Sequence, residues 1–188
     1  MLRRSFVQGV AGVAAALGVA LPIQVLSATP ANAAPATAAV RILYYDASRA
    51  GEFVNVVHQG AANWNASVTN VRLERWSSGR PRNVVVTVDN GWPRAQVTSL
   101  GNGRIIMGRQ AVQQGYYPPR ISTHEFGHIL GLPDRRTGLC ADLMSGSSAP
   151  VSCRNAFPNA TEAATVNRRF AGSLAALSTA ERELVYID

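Results

Sequence analysis

The sequence contains no lysine, only two cysteines and only three histidines. Without lysine, all 18 basic residues are arginine, set against 11 acidic residues for a formal charge of +7. The arginines are scattered. A nucleic-acid footprint needs them clustered on one face with aromatics to stack bases, so the charge reads as a soluble basic surface and no nucleic-acid partner is expected. There is no repeat at a solenoid period, no long low-complexity tract, and no G-x-S-x-G elbow to suggest a serine hydrolase of that kind. Beyond the first 33 residues no run is long and apolar enough to span a bilayer.

What is present begins with an export leader. "MLRRS" is basic, "FVQGVAGVAAALGVALPIQVL" is apolar, and "ATPANAA" offers an A-x-A arrangement at Ala31-Asn32-Ala33. Residues 1–33 therefore read as a secretory signal peptide with a short pro-segment at 34–38, and secretion to the exterior is expected. Glycine content and Pro22 argue against a membrane anchor. Arg3-Arg4-Ser5-Phe6 resembles a twin-arginine signal, beside ordinary Sec export. In an exported chain, Cys140 and Cys153 read as a disulfide, the alternatives being two free thiols or metal ligands.

The 188 residues fit one domain. Strand content is expected at 39–46, 71–76, 83–89 and 103–109. Helical spacing of Phe53, Val54, Val57, Ala61 and Trp64 predicts a helix over 50–66. Pro118-Pro119 stops one segment, and a helix follows from about Arg120 to Leu130, ending at Gly131. Residues 131–160 read as irregular, and helix formers return from 161 with Thr161 as cap. The pattern is α+β, with one twisted sheet packed on helices.

The densest chemistry lies in "ISTHEFGHILGLPDRRTG". His124 and His128 share one helix face and can reach one ion. Glu125 lies beside such an ion without ligating it, placed to take a proton from a water. Gly131 permits the left-handed backbone that bends the chain back. Asp134 then completes three protein ligands and leaves a fourth position for water. Met144, in "DLMSG", stands where a Met-turn would lie beneath the metal, bracketed by the two cysteines. His58, on the first helix, reads as a surface or satisfied histidine.

"THEFGHILGLPD", "CADLMSG" and "SCRNAFPNA", with "YYDAS" and "AANWNASVTNVRL" upstream, resemble the snapalysin family, the small extracellular neutral metalloproteases of streptomycetes. The resemblance covers about 39–172 and leaves 173–188 as a helix-prone extension. It implies a metzincin-like zincin fold and one zinc on His124, His128 and Asp134. It also implies Glu125 as general base, a Cys140–Cys153 disulfide, and endopeptidase action on proteins or peptides with an aromatic residue just after the cleaved bond. A monomer that leaves the membrane once its signal is removed is expected. Two departures stand out. The family carries a tyrosine soon after the aspartate, where this chain has Arg135 and Arg136, either of which could meet substrate or transition-state charge. The family can also bind calcium through an Asp and a Thr just before the zinc helix. Tyr117 and Pro119 fall there, and neither offers a carboxylate. The rival readings are a zinc amidase acting on cell-wall peptides and a non-catalytic secreted zinc-binding domain.

Overall fold

Runs of β-branched residues make the sheet. In the computed structural model, which describes residues 40–171 and the backbone of 184–187, strands β1 (Arg41–Arg49), β2 (Val71–Arg75), β3 (Val84–Asp89) and β5 (Asn102–Gly108) are mutually parallel. Strand β4 (Arg94–Ser99) runs antiparallel to β5, and β6 (Leu184–Ile187) runs antiparallel to β4. The order across the sheet is β2-β1-β3-β5-β4-β6. Parallel neighbours need crossovers, and helix α1 (Val54–Ser67) supplies the one between β1 and β2.

Helices α2 (Arg109–Gln113), α3 (Pro118–Ile129) and α4 (Ala160–Phe170) follow the fifth strand. α3 packs on α1, β4 and β5. The α1–α3 approach is close because Gly60 has no side chain: a Cβ there would overlap Ser122 Oγ. Trp64 Nε1 donates to the Thr123 carbonyl at 2.8 Å, and Asn63 Nδ2 donates to Thr123 Oγ1 and the Ala156 carbonyl. These bonds satisfy polar groups inside an otherwise apolar interface of Val57, Ala61, Trp64, Phe126 and Ile129. The α+β class with a single sheet holds, and Cys140 and Cys153 are bonded across the irregular region.

Four differences from expectation have physical causes. β4 was not foreseen: "RAQVTS" buries only Ala95 and Val97, and its pairing with β5 makes the strand. Pro118 and Pro119 begin α3 instead of only ending what precedes, since the first helical positions need no N–H partner. The cap of α4 is Asn159, not Thr161, in a reciprocal capping box with Glu162. Within the extension read as helix-prone, Leu184–Ile187 is a strand, as its "LVYI" composition favours once an edge is available. The signal peptide and pro-segment lie outside the described residues, as does 172–183.

Candidate metal centre

Helix α3 sets His124 and His128 one turn apart, and both rings are buried, 1% and 2% exposed. His124 Nδ1 donates to the Leu143 carbonyl at 3.0 Å, and His128 Nδ1 donates to the Leu132 carbonyl at 2.8 Å. A carbonyl oxygen only accepts, so both Nδ1 atoms carry a proton. In the neutral rings each Nε2 then presents a lone pair. The two Nε2 atoms face each other at 3.0 Å, and Asp134 Oδ1 lies 3.2 Å from one and 3.4 Å from the other.

Three electron-rich atoms at that spacing repel unless a cation or a proton lies among them. A tetrahedral ion with ligands at about 2.0–2.1 Å holds those ligands about 3.3 Å apart, so the donor set fits zinc. His124, His128 and Asp134 also form a group able to hold one metal ion among the described residues. Electrostatics prepare it. Burial pushes His128 below its ordinary value, which keeps it neutral. Burial raises Asp134, but whenever His124 or His128 takes up an Nε2 proton its hydrogen bond and charge outweigh that and hold the carboxyl well below the usual carboxylate range, so the aspartate is the charged member of the set.

The chain reaches this geometry through one turn. Gly131 adopts φ 92°, its N–H meets the His128 carbonyl at 2.8 Å, and Leu132 N–H meets the Gly127 carbonyl at 2.9 Å. That is a Schellman ending. It reverses the chain so that the Leu132 carbonyl meets the ring of His128 and Asp134 arrives opposite both histidines.

Beneath the site, a 3-10 turn at Leu143–Ser148 carries Met144, fully buried. A Cβ on Gly127 would fall 2.5 Å from Met144 Sδ, so the missing side chain is what admits the sulfur against α3. The Met144 carbonyl accepts from Arg135 N–H at 2.7 Å, tying the aspartate segment to this floor.

Glu125, one position after His124, is 1% exposed. Arg136 reaches the centre: its guanidinium donates to Asp134 Oδ2 at 2.9 Å and to Ser147 Oγ at 2.8 Å, from a backbone with φ 51°. Arg135 is exposed and engages through its backbone. His58 sits away from the metal group, with Nδ1 2.9 Å from the Tyr45 hydroxyl. Tyr117 is the residue preceding α3, and Pro119 is buried in its first turn.

Two residues escaped the sequence reading. Arg120, 6% exposed and one turn before His124, donates to the carbonyls of Cys140, Asp142 and Asn155. Nothing in its local sequence marks it. Glu162, 2% exposed, accepts from the N–H groups of Leu143, Met144 and Asn159. The Asn159…Glu162 spacing is a capping-box signature and could have revealed half of that role.

Beside His124 a narrow cleft of about 20 Å³, open to solvent, is walled by Trp92, Tyr116, Tyr117, Ile121 and Ala149. Trp92 and Tyr116 pack edge to face at 5.8 Å.

The model of the Streptomyces extracellular neutral proteinase (M7) family matches residues 39–173. The extracellular small neutral protease of Streptomyces lividans is 40% identical over 147 residues, 78% of this chain and 64% of that protein. That of Streptomyces sp. (strain C5) is 40% identical over 140 residues, 74% of this chain and 60% of that protein. That of Streptomyces caespitosus is 39% identical over 127 residues, 68% of this chain and 95% of that protein. The chain thus spans a little under two thirds of the first two relatives. High choriolytic enzyme 1, a hatching-enzyme zinc protease from Oryzias latipes, is 19% identical with a TM-score of 0.39, covering 52% of this chain and 47% of that one.

Proposed function

The chain belongs to the Streptomyces extracellular neutral proteinase (M7) family, and from that premise we propose that it is a secreted zinc endopeptidase that hydrolyses peptide bonds with Glu125 as general base. The observation that carries the reading is the convergence of His124 Nε2, His128 Nε2 and Asp134 Oδ1 within 3.0–3.4 Å of one another, on a helix in which the buried Glu125 follows His124. The leader at 1–33 and the word "extracellular" in the relatives' names support secretion.

His124, His128 and Asp134 would hold the zinc. The Leu143 and Leu132 carbonyls orient the two rings and raise their basicity as ligands. When bound, zinc supplies Lewis-acid polarisation of the scissile carbonyl and brings a water's pKa to about 7. Glu125 takes the proton of the attacking water and returns it to the leaving amine. The Arg136 guanidinium holds Asp134 Oδ2, which leaves Oδ1 to face the metal position.

The aromatic-walled cleft beside His124 supports a preference for a planar side chain just after the cleaved bond. Trp92 and Tyr116 offer edges and faces to such a ring.

The test is to measure bound zinc and casein cleavage for the protein and for Glu125→Ala. One zinc in each, with cleavage reduced in the variant by about 10²–10⁴ or more, is the expected outcome. A zinc-loaded Glu125→Ala protein as active as its parent would sink the mechanism.

A further inference from the structure

We propose that strand β6, the chain's own C-terminal end, occupies the sheet edge on which β4 receives peptide substrate, and so competes with substrate from within the molecule. The inference rests on the endopeptidase reading only in taking the substrate to be an extended peptide.

β4 would end the sheet if β6 were not there. An uncovered antiparallel edge offers a row of N–H and C=O groups, and extended peptides add to such edges through main-chain hydrogen bonds. This particular edge runs past the metal centre. α3, which carries both histidines, packs against β4. Trp92, two residues before β4 begins, lines the cleft together with His124. At the other end Gly101 N–H bonds the Ile129 carbonyl at 2.9 Å, joining the chain just after β4 to the end of α3. β4 therefore spans the helix from its His124 side to its C-terminal side.

β6 covers that stretch in a defined direction. Arg94 pairs with Ile187, Ala95 with Tyr186, Gln96 with Val185 and Val97 with Leu184. The tail strand thus runs toward Arg94 and the Trp92 cleft. The strand is supplied by residues beyond the family match at 39–173. Being tethered, it faces β4 at an effective concentration on the order of millimolar. A tail that occupies the edge for about nine-tenths of the time raises the apparent KM about tenfold, because only the open fraction binds substrate.

The experiment compares the full-length protein with its Val185→Pro/Tyr186→Pro variant. Successive strand amides point to opposite sides, so one of the two prolines removes a donor aimed at β4 whichever face it uses. Peptide hydrolysis gives KM and kcat, and amide exchange reports on β4, with α3 and β3 as the control for folding. Expected are a KM about tenfold lower, kcat within twofold, faster exchange over Arg94–Ser99 alone, and reversal of both by a synthetic peptide of residues 183–188. Faster β4 exchange with unchanged KM means that the tail only shields an edge, and overturns the proposal. Unchanged β4 exchange overturns it too. If neither protein cleaves any peptide, the endopeptidase reading has failed, and exchange alone judges the tail. Protection of β4 in the variant by an added extended peptide supports edge docking, and no protection overturns it.

Discussion

A single guanidinium ties this centre to the turn beside it. Arg136 bonds both Asp134 and Ser147, bridging the aspartate segment and that turn. Arg136→Ala should release Asp134 Oδ2 and weaken zinc binding by about 10–100-fold, the usual cost of losing an outer partner of a ligand. Chelator competition measures this without reference to activity. The histidines set the pH limit of the site. Burial lowers the His128 pKa, so the ring stays neutral and ligating below the ordinary histidine value near 6.5. Zinc content measured against pH should therefore hold through neutrality and decline only on clearly acidic titration. Loss of zinc beginning above pH 7 would contradict that sign.

Among the elements, the turn that carries Met144 depends on a carboxylate from another helix. Glu162 accepts three backbone N–H groups, the buried ones at Leu143 and Met144, and the Leu143 carbonyl orients His124. Glu162→Ala removes a helix cap and strands those donors, each worth about 1–3 kcal/mol when left unmet. Denaturant unfolding should show a loss of at least about 2 kcal/mol, and zinc affinity should fall with it. Gly131 has the opposite logic, because its role is conformational. At φ 92° an alanine is strained by about 1–2 kcal/mol, and its Cβ would lie 2.9 Å from Arg169 Cδ and 3.0 Å from Leu100 Cδ1. Gly131→Ala should lower both stability and zinc affinity, since the turn brings Asp134 to the histidines.

At the scale of the whole molecule, the Cys140–Cys153 bond closes a loop with a sequence separation of 13. Arg120 reaches that loop from α3, donating to its Cys140, Asp142 and Leu143 carbonyls and to Asn155 just beyond it. Reduction should cost about 3 kcal/mol by loop-closure entropy, read as a shift in the denaturant midpoint. Because Arg120 still pins the loop, zinc content should persist in reduced protein that remains folded. The sheet contributes differently: β4 packs against the metal helix and pairs with the tail strand.

What depends on neighbours along the chain is legible in the residues alone. Four of the strands, the first helix and the metal helix follow from hydrophobic spacing, and His124, Glu125, His128 and Asp134 follow from the helical repeat and a glycine turn. These are local relations, fixed by backbone geometry over a few residues. The rest came from contacts made on folding. β4 is a strand because β5 offers a partner, Glu162 serves the Met144 turn because α4 packs beneath it, and Arg120 reaches the disulfide loop because that loop folds over α3. Folding also placed Arg136 rather than Arg135 against the aspartate, and laid "LVYI" along β4. Each of these contacts joins residues far apart in sequence or selects between adjacent ones, and its strength comes from burial and partners that no local pattern encodes.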